Sequence, residues 1–216
     1  MNNSEIYPHI DHTLLRATAT EEEICCLCEE ALTYKTASVC IPASYVKFAR
    51  DKFPKLNICT VIGFPFGYST TAAKCAETRI AVDDGADEID MVINLGCVKD
   101  GKFSEIQREI ADIKAACGGK ILKVIIETCY LTEHEKIQLC KCVTKAKADY
   151  IKTSTGFGTA GARIEDIRLF KQHIGEDVKI KAAGGIKTKT DLEMFLNVGC
   201  DRIGTSSAVK LLSGGE

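Results

Sequence analysis

The sequence lacks the features that mark membrane, exported and disordered proteins. No stretch approaches the roughly 20 consecutive apolar residues that a membrane-spanning helix needs. The first residues, MNNSEIYPHIDHTLL, show no basic region followed by an apolar run, as a signal peptide would. The chain has only four prolines and no low-complexity tract. We therefore expect a globular protein in the cytoplasm, with no membrane partner.

An excess of charge of one sign is also absent. Lysine and arginine number 28 against 30 aspartate and glutamate residues, and the isoelectric point is near 6.1. The lysines are spread along the chain, which is typical of solvated helix faces. A basic surface that binds nucleic acid is therefore not expected.

Cysteine is abundant, but the spacings that metal sites use are missing. No CxxC pair occurs, and no group of cysteine and histidine has zinc-site spacing, so we expect no metal. Without an export signal, disulfides are not expected either. Most of the twelve thiols are expected to serve as small buried apolar side chains.

Short runs rich in β-branched residues alternate with amphipathic segments, which predicts an α/β fold. The predicted strands are residues 9–15, 36–41, 57–64, 88–94, 120–128, 150–154, 178–184 and 200–205. Between two of them, Ile106, Ile110 and Ile113 recur at helical spacing. A hydroxyl residue followed three positions later by an acidic or amide residue predicts a helix start. This pattern occurs at Thr20, Ser104, Thr132 and Thr190.

Eight strands that alternate with helices indicate parallel pairing through right-handed crossovers. Such units can close into a single-domain (β/α)8 TIM barrel over residues 1–216, at about 27 residues per unit. A doubly wound open sheet is the alternative. The strand count and the absence of GxGxxG after the first strand favour the barrel. No linker or composition shift marks a second domain.

Two lysines lie at similar positions in consecutive predicted strands, Lys152 in YIKTS and Lys181 in VKIKAAG. Neighbouring strands run about 4.8 Å apart, so two inward-facing lysines become close neighbours in a confined space. Burial and like charge both disfavour protonation, and at least one pKa is expected to fall. A free lysine amine can attack a carbonyl and form a Schiff base. The alternative is that one lysine extends to the barrel rim without a chemical role.

A carboxylate in mid-strand accompanies them. Asp90 lies in the apolar run EIDMVIN, and a buried charge needs a partner, which a lysine across the barrel could supply. Asp90 is therefore a candidate proton shuttle beside the Schiff base, or one member of a structural ion pair. Asp11 in strand one and Cys40 at the end of strand two are candidate substrate-binding residues near the expected site, with a packing role as the favoured alternative for Cys40. Glu127 is a candidate support for a lysine.

The loops after strands seven and eight predict a phosphate site, because barrels often hold phosphate there. Gly184 and Gly185 allow close approach of the backbone. Gly204 and Ser206 belong to a turn that ends the last strand and opens a helix, where free N–H groups bind anions. The segment Thr155-Gly156-Phe157-Gly158 could add a third wall.

At these residues the sequence resembles the deoxyribose-phosphate aldolases. The resemblance covers nearly the whole chain and rests on DHTLL, VCIP, VIGFPFG, EIDMVINLG, IKTSTGFG and KAAGGIKT in that order. It implies a (β/α)8 barrel and a class I aldolase that uses no metal or cofactor. Such an enzyme cleaves 2-deoxy-D-ribose 5-phosphate reversibly to acetaldehyde and D-glyceraldehyde 3-phosphate, in deoxyribose phosphate catabolism. A homo-oligomer, dimer or tetramer, is implied as well.

The same resemblance assigns roles by motif. It makes Lys152 the Schiff-base lysine, Lys181 the second lysine that lowers the pKa of the first, and Asp90 the acid/base group. Gly184, Gly185, Gly204 and Ser206 match positions expected near the phosphate. Phe157 stands where some members carry a lysine.

Two rival functions remain open at this point. One is another Schiff-base barrel, such as a transaldolase, which acceptance of acetaldehyde as donor would separate. The other is a barrel that binds a sugar phosphate without turnover and forms no imine.

Overall fold

Eight parallel strands close into one barrel in chain order, with β8 paired to β1. The computed structural model describes residues 1–214, so the end of the predicted domain, residues 215 and 216, lies outside the described residues. The strands are β1 Ile10–Thr13, β2 Ser38–Ile41, β3 Ile58–Ile62, β4 Glu88–Val92, β5 Ile121–Ile125, β6 Tyr150–Lys152, β7 Lys179–Ala183 and β8 Arg202–Thr205. The predicted barrel is confirmed, and each strand falls within its predicted bounds.

Helices surround the barrel and bury their apolar faces against it. They are α1 Asn3–Ile6, α2 Glu21–Tyr34, α3 Val46–Lys52, α4 Thr71–Asp83, α5 Leu95–Lys99, α6 Phe103–Ala116, α7 Glu133–Lys145, α8 Ile164–His173, α9 Lys189–Val198 and α10 Ala208–Leu212. The predicted apolar face of α6 is confirmed, because Ile106, Ile110 and Ile113 are buried. Across residues 1–214, no helix is both long and apolar enough to cross a bilayer.

Two of the four predicted helix starts are confirmed. At α2 the Thr20 hydroxyl accepts a hydrogen bond from the backbone of Glu23, whose carboxylate bonds back to the Thr20 backbone. Thr132 and Glu135 form the same reciprocal pair at α7. Each pair satisfies N–H groups that have no partner inside the helix.

The other two predicted starts are wrong. Helix α6 begins one residue before Ser104, and its N-cap is Lys102, which makes no side-chain bond to the helix end. Helix α9 begins at Lys189 after the N-cap Thr188, so Thr190 lies inside the helix. Thr188 has the extended backbone that an N-cap needs and pairs with Asp191.

The interior of the barrel is unusually ionic. Alternation along each strand sends one side chain inward and the next toward the helices. The outward side chains join the large hydrophobic core between sheet and helices. Inside, the smaller apolar cluster of buried residues consists of Cys40, Cys59 and Val61. The rest of the interior carries the charged groups that form the candidate site.

Candidate active site

Lys152 and Lys181 lie directly opposite each other in the register of β6 and β7. Their side chains converge on one oxygen, because each Nζ lies 2.7 Å from Oδ2 of Asp90 on β4. All three residues are at most 3% exposed. The structure thus brings together the three residues to which the sequence assigned the chemistry.

The second oxygen of Asp90 is held by a lysine that the sequence reasoning missed. Lys123 on β5 is fully buried, and its Nζ lies 2.9 Å from Oδ1 of Asp90 and 2.5 Å from Oε2 of Glu88. Its position in mid-strand, in the apolar run KILKVIIET, is the same signal that singled out Lys152. Asp90 therefore binds cations through both oxygens.

A second carboxylate holds Lys181 from the other side. Oδ2 of Asp11 on β1 lies 2.5 Å from Nζ of Lys181. Its other oxygen accepts hydrogen bonds from the Ser38 hydroxyl, at 2.8 Å, and from the Arg202 guanidinium. Asp11 thus contacts the candidate lysine pair through Lys181 and links that lysine to Ser38 and Arg202.

The whole network contains one more cation than carboxylates. Its acids are Asp11, Glu88 and Asp90, and its bases are Lys123, Lys152, Lys181 and Arg202. Buried charges are costly unless they are paired, and here every charge has a partner of opposite sign. The surplus positive charge favours an anionic substrate at the mouth of the barrel.

The network sets the protonation of its members. Burial acts to raise the pKa of Asp90, but the ammonium groups of Lys123, Lys152 and Lys181 outweigh it and hold that pKa well below its usual value. Asp90 is therefore a carboxylate at neutral pH.

Lys181 shows the opposite balance from the one expected of a crowded lysine. Burial acts to lower the pKa of Lys181, but the Asp11 and Asp90 carboxylates outweigh it and raise that pKa above the usual value. The fall in pKa expected for at least one lysine of the pair therefore does not occur at Lys181, because two carboxylates more than offset burial and the neighbouring charge of Lys123. Lys181 stays a cation at neutral pH.

A cavity of about 450 Å³ opens above this network, at the carboxyl ends of the strands. Of the predicted site residues, those that line it are Lys152, Thr155, Gly156, Gly184, Gly185, Gly204 and Ser206. Asp90, Lys181, Asp11 and Cys40 lie deeper, each at most 1% exposed. Lys152 is thus the member of the lysine pair that faces the cavity.

The part of the cavity lined by Gly184 and Gly185 is suited to an anion. Gly184 and Gly185 have positive φ angles of 82° and 77°, which side-chain-bearing residues rarely adopt. Two cations that sequence reasoning missed, Arg16 and Lys187, also line the cavity. Lys187 follows the predicted glycine pair by two residues, so the motif GGIKT itself contained the signal.

Among residues 1–214, no lysine forms a hydrogen bond with Glu127. Its carboxylate instead accepts hydrogen bonds from the backbone N–H of Thr155, at 3.2 Å, and from the Thr155 hydroxyl. Glu127 thus supports the turn after β6 through hydrogen bonds, and its interaction with Lys152 is electrostatic only. The residue is 3% exposed.

Cys40 lies beneath the cavity beside Cys59, its register partner on β3. The Sγ atoms of both cysteines and a carboxylate oxygen of Asp90 lie within 4.8 Å of one another, a grouping that could hold a metal ion. However, Nζ of Lys123 already lies 3.2 Å from Sγ of Cys59 and 2.9 Å from Asp90. A metal ion would have to displace this ammonium group, so the arrangement fits a lysine better than a divalent ion.

Comparison with known proteins identifies close relatives over the full chain. The family model described as DeoC/LacD family aldolase matches residues 7–209. The chain is 60% identical to the deoxyribose-phosphate aldolase of Clostridium botulinum (strain Alaska E43 / Type E3), over 100% of this chain and 98% of that protein. It is 55% identical to the enzyme of the same name from Clostridioides difficile (strain 630), over 94% of this chain and 93% of that protein.

Solved structures show the same barrel. A deoxyribose phosphate aldolase from Aeropyrum pernix, described as a unique tetrameric structure, matches with a TM-score of 0.91 and 31% identity over 98% of this chain and 91% of that one. A structure described as QR15, an aldolase, matches with a TM-score of 0.93 and 35% identity over 97% of this chain and 95% of that one.

Proposed function

The chain belongs to the DeoC/LacD family of aldolases, and from this we propose that it cleaves 2-deoxy-D-ribose 5-phosphate reversibly to acetaldehyde and D-glyceraldehyde 3-phosphate. The observation that carries the proposal is the arrangement of two lysines on one carboxylate oxygen, with Lys152 facing the cavity. Relatives that carry the name deoxyribose-phosphate aldolase support the choice of substrate.

Lys152 is the proposed nucleophile. Its amine attacks the aldehyde carbon of the open-chain sugar, and loss of water gives a protonated imine. The imine withdraws electrons from the bond between the second and third carbons of the sugar. That bond breaks as the hydroxyl on the third carbon loses its proton, giving glyceraldehyde 3-phosphate and an enamine on Lys152. Protonation of the enamine and hydrolysis of the imine release acetaldehyde.

Asp90 and Lys181 are the proposed proton carriers. Lys152 must lose a proton before it attacks, and Oδ2 of Asp90, 2.7 Å from its Nζ, is placed to receive it. Lys181 binds the same oxygen, so a proton on Asp90 can pass along this pair to the substrate. Because Asp11 and Asp90 keep Lys181 charged, its ammonium group adds a fixed positive charge below the cavity, which favours negative charge that develops on the substrate above it.

The part of the cavity lined by Gly184, Gly185 and Ser206 is the proposed phosphate site. The glycine backbone at Gly184 and Gly185 allows a phosphate to approach closely, and the hydroxyl of Ser206 offers a hydrogen bond. Arg16 and Lys187 supply positive charge at the same cavity. Gly156 and Gly204 complete the wall. No metal is required, because the imine itself is the electron sink.

The proposal extends to the assembly and location of the protein. We propose that it acts in the cytoplasm as a homo-oligomer, either a dimer or a tetramer. The description of the Aeropyrum pernix enzyme as tetrameric supports this for a relative at 31% identity.

Borohydride trapping tests the function directly. The protein is incubated with 2-deoxyribose 5-phosphate, reduced, digested and analysed by mass spectrometry. We expect a stable adduct on Lys152 and none on Lys123, which is equally a buried lysine but lies below the cavity. An adduct on Lys181 would reverse the proposed lysine roles. Turnover without any adduct would exclude the Schiff-base mechanism, and binding without turnover would favour a silent sugar-phosphate-binding barrel.

A further inference from the structure

The proposed mechanism makes no use of Glu127, although this buried carboxylate is bonded to Thr155, which lines the cavity. We propose that Glu127 is a positioning residue that fixes the turn Thr155–Gly158 in the shape that receives the phosphate of the substrate. The inference rests on the proposed function, since it assigns the phosphate group of that substrate to this turn.

Glu127 and Thr155 are joined by several hydrogen bonds. Oε1 and Oε2 of Glu127 accept from the Thr155 backbone N–H at 3.2 and 3.3 Å, and Oε2 also accepts from the Thr155 hydroxyl. Hydrogen bonds to an ionised acceptor are stronger than those between neutral groups. The carboxylate therefore holds both polar groups of Thr155 in one orientation.

The bonds continue from Thr155 into the turn. The Thr155 hydroxyl oxygen accepts a hydrogen bond from the backbone N–H of Phe157, at 3.0 Å. Thr155, Gly156 and Phe157 all line the cavity, whereas Glu127 lies behind them. The carboxylate thus sets the path of the cavity wall without placing its own negative charge beside a phosphate.

Gly158, the last residue of the turn, packs against the same carboxylate. A Cβ atom at this position would lie 3.1 Å from Oε1 of Glu127 and 2.8 Å from Sγ of Cys129. The turn therefore packs directly on Glu127, and only a residue without a side chain fits this approach. This contact is independent of the hydrogen bonds and fixes the other end of the turn.

The backbone of Glu127 is itself in a costly conformation. Its φ and ψ angles are 53° and 67°, in the left-handed region that residues other than glycine rarely adopt. The structure has two other residues of this kind among those described, Lys35 and Lys147, and Lys35 is a helix C-cap, where this conformation is common. Glu127 instead lies two residues past the end of β5 and is bonded to Thr155 in the cavity wall. Strain of this kind is characteristic of functional sites.

The test compares substrates with and without the phosphate. We expect Glu127→Ala to raise KM for 2-deoxyribose 5-phosphate about tenfold, because it removes a charged acceptor from Thr155. The value of kcat should stay within about twofold, and so should kcat/KM for 2-deoxyribose. Glu127→Gln, which retains the shape and one acceptor oxygen, should restore part of the affinity. Thr155→Val, which removes the hydroxyl that bonds to Glu127 and Phe157, should raise KM as Glu127→Ala does.

Glu109→Gln is the matched control. Glu109 is also a buried carboxylate, but it pairs with Lys74 at 2.9 Å and lies outside the cavity. Its variant should change stability without changing KM for the phosphorylated substrate. Equal losses of kcat/KM toward both substrates in the Glu127 variants would show a merely structural role and overturn the inference.

Binding of inorganic phosphate, measured by calorimetry, separates this inference from the proposed function. If the wild-type protein fails to cleave the sugar phosphate, the proposed function fails. The inference still predicts that Glu127→Gln weakens phosphate binding relative to wild type and Glu109→Gln. If wild type turns over but phosphate binding is equal in all three proteins, the inference alone is wrong. The isosteric Gln variant keeps the test valid should the Ala variant not fold.

Discussion

At the scale of single residues, the two lysines differ in their surroundings although they share an oxygen. Lys181 has a second carboxylate, Asp11, at 2.5 Å and is not among the residues that line the cavity. Lys152 has Asp90 as its close carboxylate and faces the cavity. A nucleophilic amine must reach the substrate and must be unprotonated when it attacks. A group that stabilises developing charge must instead keep its own charge. The surroundings thus suit Lys152 to attack and Lys181 to remain charged.

Replacing the shared carboxylate should stop catalysis. We expect Asp90→Asn to lower kcat by at least about 100-fold, because an amide cannot accept the proton of Lys152. Steady-state kinetics with 2-deoxyribose 5-phosphate measure this. Asp87→Asn is the control, since Asp87 lies just before the same strand and pairs with Arg50 and Lys120 instead. A variant of Asp90 with kcat near wild type would remove Asp90 from the mechanism.

The protonation of Glu127 gives a prediction for stability against pH. Burial raises the pKa of Glu127, although hydrogen bonds from Thr155 oppose the shift. The folded state therefore binds the proton more tightly than the unfolded state, and stability is lost as pH rises from the usual value of 4.5 through the raised pKa.

Urea denaturation of wild type and Glu127→Gln at pH 4 and pH 7 tests this. We expect the free energy of unfolding of wild type, relative to the variant, to be lower at pH 7 than at pH 4. The variant has no titratable group at position 127. The difference in unfolding free energy between wild type and variant therefore cancels the pH dependence of all other groups. An unchanged difference between the two pH values would contradict the raised pKa.

At the scale of elements, the sequence predicted the type and place of each strand but only some helix starts. The pattern of a strand extends over several residues, so the sequence leaves few alternative positions for each strand. A capping box is a short pattern, and both Thr188 and Thr190 satisfy it in α9. The path of the preceding loop decided between them, because it gives Thr188 the extended backbone with ψ of 158°.

A pair of variants checks the corrected helix start. We expect Thr188→Ala to lower the free energy of unfolding by about 1 kcal/mol, because it removes the side-chain acceptor for the Asp191 N–H. Thr190→Ala should change it by less than about 0.5 kcal/mol. Chemical denaturation measures both. Equal effects of the two substitutions would show that Thr188 does not cap the helix.

At the scale of the whole molecule, barrel closure unites charges that are far apart in the chain. Lys123 on β5 contacts Glu88 and Asp90 on β4 and lies 3.7 Å from Asp11 on β1. It therefore connects β1 to β4 and β5 across the interior of the barrel. A buried charge with several partners makes the fold depend on each of them.

Removal of this lysine should destabilise the whole protein. We expect Lys123→Met to lower the free energy of unfolding by about 3–5 kcal/mol, because it leaves buried carboxylates without their cation. Lys47→Met is the matched control. Lys47 forms an exposed pair with Asp51 at 3.5 Å, and its loss should cost less than about 0.5 kcal/mol. Denaturation of both variants in urea gives the comparison. A small effect at Lys123 would mean that water or other cations replace it.

The sequence by itself predicted an eight-stranded barrel in preference to an open sheet, and it singled out the candidate trio of Lys152, Lys181 and Asp90. The count of eight strands alternating with helices favoured the barrel, and alternation along each strand determines which side chains share a face. Only the tertiary structure decided that Lys181 gains Asp11 as a partner and that Glu127 turns to Thr155. It also decided which lysine faces the cavity. These outcomes depend on distances between strands that are remote in the chain, and Coulomb interactions and hydrogen bonds take their strength from those distances.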